Sequence, residues 1–127
     1  YGFTSSEELR TLTGMASGNA VENWTSTRDC GSFLSQVYAG TLVSKNASER
    51  MMQLLLGQTR RTKIPAGVPS GVKVANKTGE LAAVQNDVAI VFGTHPYVLA
   101  VMSNDISSAV APSQITELSR AVWDAAQ

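Results

Sequence analysis

The sequence predicts an α+β fold in three layers, in which a three-stranded antiparallel sheet lies between helices. Three short runs, residues 72–80, 88–92 and 97–102, are rich in Val, Ile, Tyr and Phe and are bounded by turn residues. The second and third runs are apolar at successive positions, so both faces of the sheet require a cover. Segments with helical spacing before and after the three runs supply that cover.

Length and composition indicate one small globular unit. The chain has 127 residues, 43% of them hydrophobic, and ten basic residues balance ten acidic ones. A net charge of zero argues against nucleic acid or an anionic membrane as a partner, and no run approaches the ~20 apolar residues of a membrane span. With Cys30 as the one cysteine and His95 as the one histidine, the sequence predicts no disulfide framework, metal or cofactor.

The chain divides by pattern into two parts. Residues 1–70 are expected to be helices and loops, and residues 71–127 to be the three strands and a closing helix. The closing helix should begin near Pro112, and His95 should lie in the turn between the second and third strands. The apolar stripe expected to face the sheet from this helix consists of Ile115, Leu118, Val122 and Ala125.

Two further helices are expected before the sheet. Ser26 and Asp29 have the spacing of a capping box, and Gly40 suits the end of that helix. Ser44 or Asn46 should begin the next helix. The apolar residues expected to be buried on the two helices are Cys30, Leu34, Val37 and Tyr38 on the first, and Met51, Leu54 and Leu55 on the second.

The chemistry of the sequence is concentrated at the end of the first strand, in Lys77-Thr78-Gly79. A lysine ammonium offers charge to an anion, a threonine hydroxyl is a directional donor, and glycine lets another backbone come close. Together they predict a site that holds a substrate carboxylate while the substrate backbone lies along the edge of the strand.

These residues also carry a resemblance to the penicillin-recognising serine hydrolases, the class A β-lactamases and D-alanyl-D-alanine peptidases. Several features occur in that family's order, and Asn86-Asp87 is interpreted as a hairpin that opens the second strand. The features are residues 23–29, the approach 64–69, the valine-rich strand, Lys77-Thr78-Gly79-Glu80, Asn86-Asp87, two apolar strands and the closing helix. The resemblance covers most of the chain but only the C-terminal part of the family's serine β-lactamase/D-alanyl-D-alanine peptidase fold.

The resemblance implies roles for individual residues. Lys77 and Thr78 look like the pair that binds the substrate carboxylate, and the charge of Lys77 would tune nearby proton transfers. Gly79 looks like the position that lets the acyl group pass, and the backbone N–H of Glu80 like an oxyanion-hole donor. Asp87 is expected to be structural and to accept hydrogen bonds from turn amides. The nucleophilic serine and its lysine have no counterpart in this chain.

The resemblance also implies a biological setting. It is that of a bacterial, extracytoplasmic enzyme that acts on β-lactams or peptidoglycan stem peptides through a serine acyl-enzyme. The chain alone is then inactive, and its partner is either a separate N-terminal half of the fold or a second copy. No residue in 1–24 matches the class A deacylating glutamate, which implies a slow-deacylating penicillin-binding protein or peptidase. The alternative is a non-catalytic domain of the same fold that binds or acts as a scaffold.

Two motif matches are interpreted as coincidences. Ser70-Gly71-Val72-Lys73 matches Ser-x-x-Lys, but that motif needs a helix to bring the lysine back to the hydroxyl, and this stretch has the alternation of a strand. Residues 17–19 match Ser-x-Asn without the helical hairpin that should carry it, so they are expected to form a loop.

The connector before the first strand contains the basic residues Arg60, Arg61 and Lys63. No aromatic residues are interleaved with them, so a solvated turn is the expected structure. The alternative is that one arginine helps to hold an anionic substrate near the end of the strand.

Overall fold

The computed structural model describes residues 1–9 and 23–127, and it confirms the predicted α+β class. The three strands form an antiparallel sheet in the order β1-β2-β3. The elements are α1 (Thr27–Ala39), α2 (Lys45–Leu56), a 3₁₀ turn (Ile64–Gly67), β1 (Lys73–Leu81), β2 (Val84–Phe92), β3 (Tyr97–Val101) and α3 (Ala111–Ala126). The Ser-x-Asn match at 17–19 lies outside the described residues.

Both faces of the sheet are covered, as the apolar strands predict. Helices α1 and α2 pack on one face, where Leu34, Ala75 and Ile90 are buried. Helix α3 and the 3₁₀ turn pack on the other face, where Ile64, Val74 and Ile115 belong to a second buried cluster. The molecule is therefore a three-layer αβα arrangement.

The starts of α1 and α2 follow from their caps. Ser26 Oγ accepts a hydrogen bond from Asp29 N at 3.1 Å, and Ser44 Oγ accepts one from Ala47 N at 3.1 Å. Gly40 ends α1 with a φ of 73°, a left-handed conformation that glycine adopts without strain. The predicted caps are confirmed, with Ser44 rather than Asn46 starting the second helix.

The predicted stripes are wrong in part on all three helices. Tyr38 is 51% exposed, Leu54 74% and Leu118 46%, while Met52 and Leu56 pack against the core instead. Residues 54–56 are three consecutive leucines, so the spacing alone could not select the buried face. On α3, Ile115 is buried as predicted, and the next buried position is Ser119, because the helix lies too close to the 3₁₀ turn there for a larger side chain.

The second strand also begins earlier than predicted. The turn between β1 and β2 is Ala82-Ala83, so Asn86 and Asp87 lie inside β2 and not in a hairpin turn. Polar residues suit this strand because they have partners elsewhere in the chain. Asn86 Oδ1, for example, accepts a hydrogen bond from Ser103 N at 2.9 Å. A partner seventeen residues away gives no local signal.

A buried carboxylate on α1 accepts hydrogen bonds from the N-terminal segment. Asp29 is 3% exposed, and its Oδ2 accepts hydrogen bonds from Ser5 N and Ser6 Oγ, both at 2.8 Å.

His95 lies in the turn between β2 and β3, as predicted. Its carbonyl accepts a hydrogen bond from Gln127 Nε2 at 3.0 Å.

Candidate functional site

The residues singled out by sequence occupy the end of β1, beside the turn into β2. Because side chains alternate along a strand, Lys77 projects toward α1 and α2, and Thr78 projects toward α3. Thr78 is 9% exposed, and its register partner on β2 is Asp87. A single ligand can therefore contact both Lys77 and Thr78 only at the outer edge of β1, where the two faces of the sheet meet.

That edge carries free backbone groups, and the register identifies them. Glu80 is opposite Gln85, whose N donates to Ser103 Oγ at 3.0 Å and whose carbonyl accepts from the same hydroxyl at 2.7 Å. The Gln85 backbone groups thus point toward β3, and in an antiparallel pair of this type the partner's groups point the opposite way. The N–H of Glu80 is accordingly directed away from β2, toward the outer edge of β1.

The same alternation applies along β1. Thr78 and Val74 share the orientation of Glu80, and the Val74 carbonyl accepts a hydrogen bond from Arg61 Nη1 at 3.3 Å. The Thr78 carbonyl accepts a hydrogen bond from Lys77 Nζ, which brings the ammonium to the edge. Thus the outer edge is covered by Arg61 at Val74 and carries a charged group at Thr78.

Lys77 also lines a cavity of about 320 Å³ on the α1/α2 side of the sheet. The surface of this cavity is largely apolar, and it lies between the N-terminal segment, α1, α2 and the sheet. Its other lining residues are Phe3, Ser6, Thr25, Asp29, Cys30, Phe33, Leu34, Leu55 and Val88.

The carboxylate of Glu80 lies on the opposite face and is held by two cations. Its Oε2 is 2.7 Å from Arg60 Nη1, and its Oε1 is 3.0 Å from Lys63 Nζ. The hydrogen bond from Lys63, together with the positive charges of Lys63, Arg60 and Lys77, holds the pKa of Glu80 below its ordinary value against the effect of burial. Glu80 therefore stays ionised to a lower pH than an isolated glutamate does.

The connector that contains these cations is not simply a solvated turn, so that prediction is corrected. Arg60 is exposed, but the Lys63 side chain is only 1% exposed. A buried ammonium requires partners, and Lys63 obtains them from Glu80 and from the Asn86 carbonyl at 3.1 Å. Sequence reasoning missed Lys63 because both partners are distant in the chain. The one available signal was an acidic residue, Glu80, directly after a lysine-containing motif.

Asp87 is fully buried beneath the same hairpin. Its Oδ2 accepts from Ile64 N at 3.0 Å, and its Oδ1 accepts from Asn76 Nδ2 at 3.1 Å. Burial raises the pKa of Asp87, although both hydrogen bonds act in the opposite direction. The predicted structural role, in which Asp87 accepts from a turn amide, is confirmed, since Ile64 begins the 3₁₀ turn.

The remaining candidate, Gly79, and the coincidental motif match at Ser70 differ in their surroundings. A Cβ atom added to Gly79 would lie 3.6 Å from Asn86 Cβ, an ordinary contact, so nothing in the described chain itself requires glycine there. Ser70 and Gly71 form a turn in which Val72 N donates to the Pro69 carbonyl at 3.2 Å. The Ser70-x-x-Lys73 match therefore lacks the helix that the motif needs.

Residues 1–9 and 23–127 contain no group of three or more His, Cys, Asp and Glu side chains that could hold a metal ion. Within the same ranges, no helix is both long and apolar enough to span a bilayer.

Comparison with known proteins relates the chain to enzymes. A family model described as the Beta-lactamase enzyme family matches residues 1–126. A β-lactamase from Sphaerobacter thermophilus DSM 20745 has 25% identity and a TM-score of 0.89, over 98% of this chain and 49% of that one. The TLA-1 extended spectrum β-lactamase has 26% identity and a TM-score of 0.87, over 97% of this chain and 50% of its own.

A third solved structure carries the name PBP-A. PBP-A has 27% identity and a TM-score of 0.75, over 81% of this chain and 40% of its own. No curated protein sequence matches the chain. The chain thus spans about half the length of the solved structures that it resembles.

Proposed function

Because the chain belongs to the β-lactamase enzyme family over residues 1–126, we propose that it is the C-terminal portion of a bacterial, extracytoplasmic, class A β-lactamase-like serine hydrolase. In this proposal the whole enzyme acts on β-lactams or D-alanyl-D-alanine peptides through a serine acyl-enzyme. The nucleophile belongs to the part of the fold that this chain does not include. One structural neighbour supports the acyl-enzyme chemistry, since a variant of PBP-A is described as an acyl-enzyme complex with penicillin G.

The observation that carries the proposal is the open edge of β1. Lys77 presents an ammonium at this edge, beside the Thr78 carbonyl. Two positions further on, the Glu80 N–H is directed outward by its pairing with Gln85. Charge and hydrogen-bond donor thus lie along one strand edge, where the amide backbone of an extended substrate can add as a further strand.

Each group then has a defined task. Lys77 attracts the substrate carboxylate, and the Thr78 hydroxyl gives that contact direction. The Glu80 N–H donates to the carbonyl oxygen as negative charge develops there, a contribution often worth ~3–4 kcal/mol of the barrier. Because backbone donors are fixed before the reaction, they need no reorganisation when the charge forms.

The alternative is a non-catalytic domain of the same fold, and acylation by a β-lactam separates the two. In the full-length protein, Lys77→Ala should reduce the rate of labelling by a fluorescent penicillin by well over ~10-fold, because the carboxylate loses its cation. The melting temperature should change by only about 2–3 °C, since Lys77 is exposed and contributes little to the core. Unchanged labelling would contradict the proposal.

Two matched variants serve as controls. Lys73→Ala removes an exposed lysine from the same face of the same strand, and Ser70→Ala removes the hydroxyl of the false nucleophile motif. Both variants should label at the rate of the unchanged protein. Loss of labelling in Ser70→Ala would mean that this motif acts as the nucleophile after all.

A further inference from the structure

Lys63 is a buried lysine whose ammonium contacts two groups at the end of the β1–β2 hairpin. Its side chain is 1% exposed, and Nζ lies 3.0 Å from Glu80 Oε1 and 3.1 Å from the Asn86 carbonyl oxygen. Burying an ammonium carries a large solvation cost, and a nonpolar side chain of similar volume often serves stability equally well. The position of this charge therefore calls for an explanation beyond packing.

The two partners of Lys63 lie on different strands at the end of the hairpin. Glu80 belongs to β1 and Asn86 to β2, so the ammonium joins the strands on the face opposite Lys77. The backbone groups of Glu80 point outward, and no ladder hydrogen bond holds this residue to Gln85 directly opposite. Lys63 thus provides a cross-strand link at the position where the ladder provides none.

The backbone that carries Lys63 is itself held firmly. The Lys63 carbonyl accepts from Thr116 Oγ1 on α3 at 3.2 Å, and the Ile64 carbonyl accepts from Ser119 Oγ at 2.8 Å. Ile64 N donates to the buried carboxylate of Asp87 at 3.0 Å. Lys63 therefore extends from a rigid base, fixed to α3 and β2, to the end of β1.

We propose that Lys63 and the side chain of Glu80 are positioning residues for the catalytic site. Together they hold the Glu80 backbone so that its N–H points at the developing oxyanion. The inference rests on the proposed function, in which that N–H is the oxyanion donor. Neither side chain touches the substrate. The effect passes from the Lys63 ammonium through the Glu80 carboxylate to the strand backbone.

The test separates binding from chemistry in the full-length protein. Stopped-flow labelling with a fluorescent penicillin gives the dissociation constant of the first complex and the acylation rate constant separately. For Lys63→Met we expect the acylation rate constant to fall about 10- to 100-fold, because a misplaced donor fails mainly in the transition state. The dissociation constant should stay within about twofold.

A double-mutant cycle shows whether Lys63 acts through Glu80. Glu80→Ala keeps the backbone N–H but removes the carboxylate, so it should reduce acylation to a similar extent. The Lys63→Met/Glu80→Ala variant should then be no slower than the slower single variant. Multiplication of the two single effects in the double variant would overturn the proposal, as would an unchanged acylation rate constant in either folded single variant.

Controls exclude a loss of folded protein and a failure of the underlying function. Lys73→Met removes an exposed lysine near the start of β1 and should leave both constants unchanged. Burst amplitude measures the fraction of active protein, so partial unfolding would lower the amplitude and not the rate constant. If Lys63→Met does not fold, Glu80→Ala and Lys63→Arg carry the test, and Lys63→Arg should restore part of the rate since it keeps the charge.

Lys77→Ala is measured in the same series. If Lys77→Ala leaves acylation unchanged, the proposed function itself fails. If Lys77→Ala abolishes acylation while Lys63→Met and Glu80→Ala do not alter it, only the positioning proposal fails.

Discussion

Two carboxylates near the end of the β1–β2 hairpin have pKa values shifted in opposite directions. The Glu80 carboxylate is partly exposed and bound by Lys63 and Arg60, so its pKa lies below the ordinary 4.5. The Asp87 carboxylate is fully buried, and desolvation raises its pKa above the ordinary 3.8. One carboxylate therefore favours folding when charged, and the other when neutral.

This difference predicts opposite pH dependences. A raised pKa in the folded state means that the contribution of Asp87 is complete below 3.8 and is lost as pH rises through the raised value. The stability of Asp87→Asn relative to the unchanged protein should therefore increase with pH. Glu80 contributes above 4.5 and loses that contribution as pH falls through its lowered pKa. Glu80→Gln should therefore be destabilising at neutral pH, and less so in acid.

Urea unfolding at several pH values between 3 and 7 measures both differences. Each variant is the uncharged near-isostere of the residue it replaces, so the slope with pH is informative even if the substitution has a constant cost. Parallel curves for the unchanged protein and Asp87→Asn would mean that the carboxyl of Asp87 has the same pKa in the folded and unfolded states.

A glycine in the 3₁₀ turn sets the distance to α3. A Cβ atom at Gly67 would lie 2.5 Å from both Ser119 Cβ and the Thr116 carbonyl oxygen. Gly67→Ala should therefore destabilise the protein by about 1–3 kcal/mol through overpacking. Gly31→Ala is the matched control, because a Cβ there meets nothing within 4 Å, and in a helix it should stabilise by about 0.5–1 kcal/mol. Thermal unfolding measures both, and equal effects would contradict the close contact.

At the scale of elements, the helix ends and the motif position could be predicted, because they depend on residues that are neighbours in the sequence. Ser26, Gly40 and Ser44 mark helix ends because caps act over three or four residues. The Lys77-Thr78-Gly79 motif could be placed at the end of a strand because it directly follows a valine-rich run in the sequence. The burial of Lys63 and the early start of β2 could not be predicted, because each depends on partners more than ten residues away.

The two serine caps should contribute similarly to stability. Ser26→Ala and Ser44→Ala each leave a helix N–H without its acceptor, so each should cost about 1 kcal/mol. Ser35→Ala is the control, since its hydroxyl donates to the Gly31 carbonyl inside α1 and caps nothing; its effect should stay within ~0.5 kcal/mol. Equal costs for all three serines would argue against a capping role.

At the scale of the molecule, the sheet of the described residues ends at β3, whose second side has no strand beside it. An apolar strand with free backbone groups on one side favours pairing with another chain. We therefore expect the isolated 127-residue chain to associate, with itself or with a separate N-terminal piece, and to leave nitrocefin intact. Size-exclusion chromatography with mass detection tests the first part. A stable monomer of about 13.5 kDa would contradict it.

One variant shows which backbone groups are responsible. The register places the N–H of Ala100 on the outer side of β3, because Leu99 and Val101 are directed toward β2. Ala100→Pro removes that N–H without removing a ladder donor to β2, so it should shift the isolated chain toward the monomer. Unchanged association would mean that another surface holds the copies together.

The most direct measurement of the central proposal is a crystal structure of the full-length protein acylated by a penicillin. The proposal predicts an acyl carbonyl oxygen about 3 Å from the Glu80 backbone nitrogen, and a penicillin carboxylate within hydrogen-bond distance of Lys77 Nζ or Thr78 Oγ1. An acyl group bound elsewhere, with the outer edge of β1 between Lys77 and Glu80 free of ligand, would contradict it.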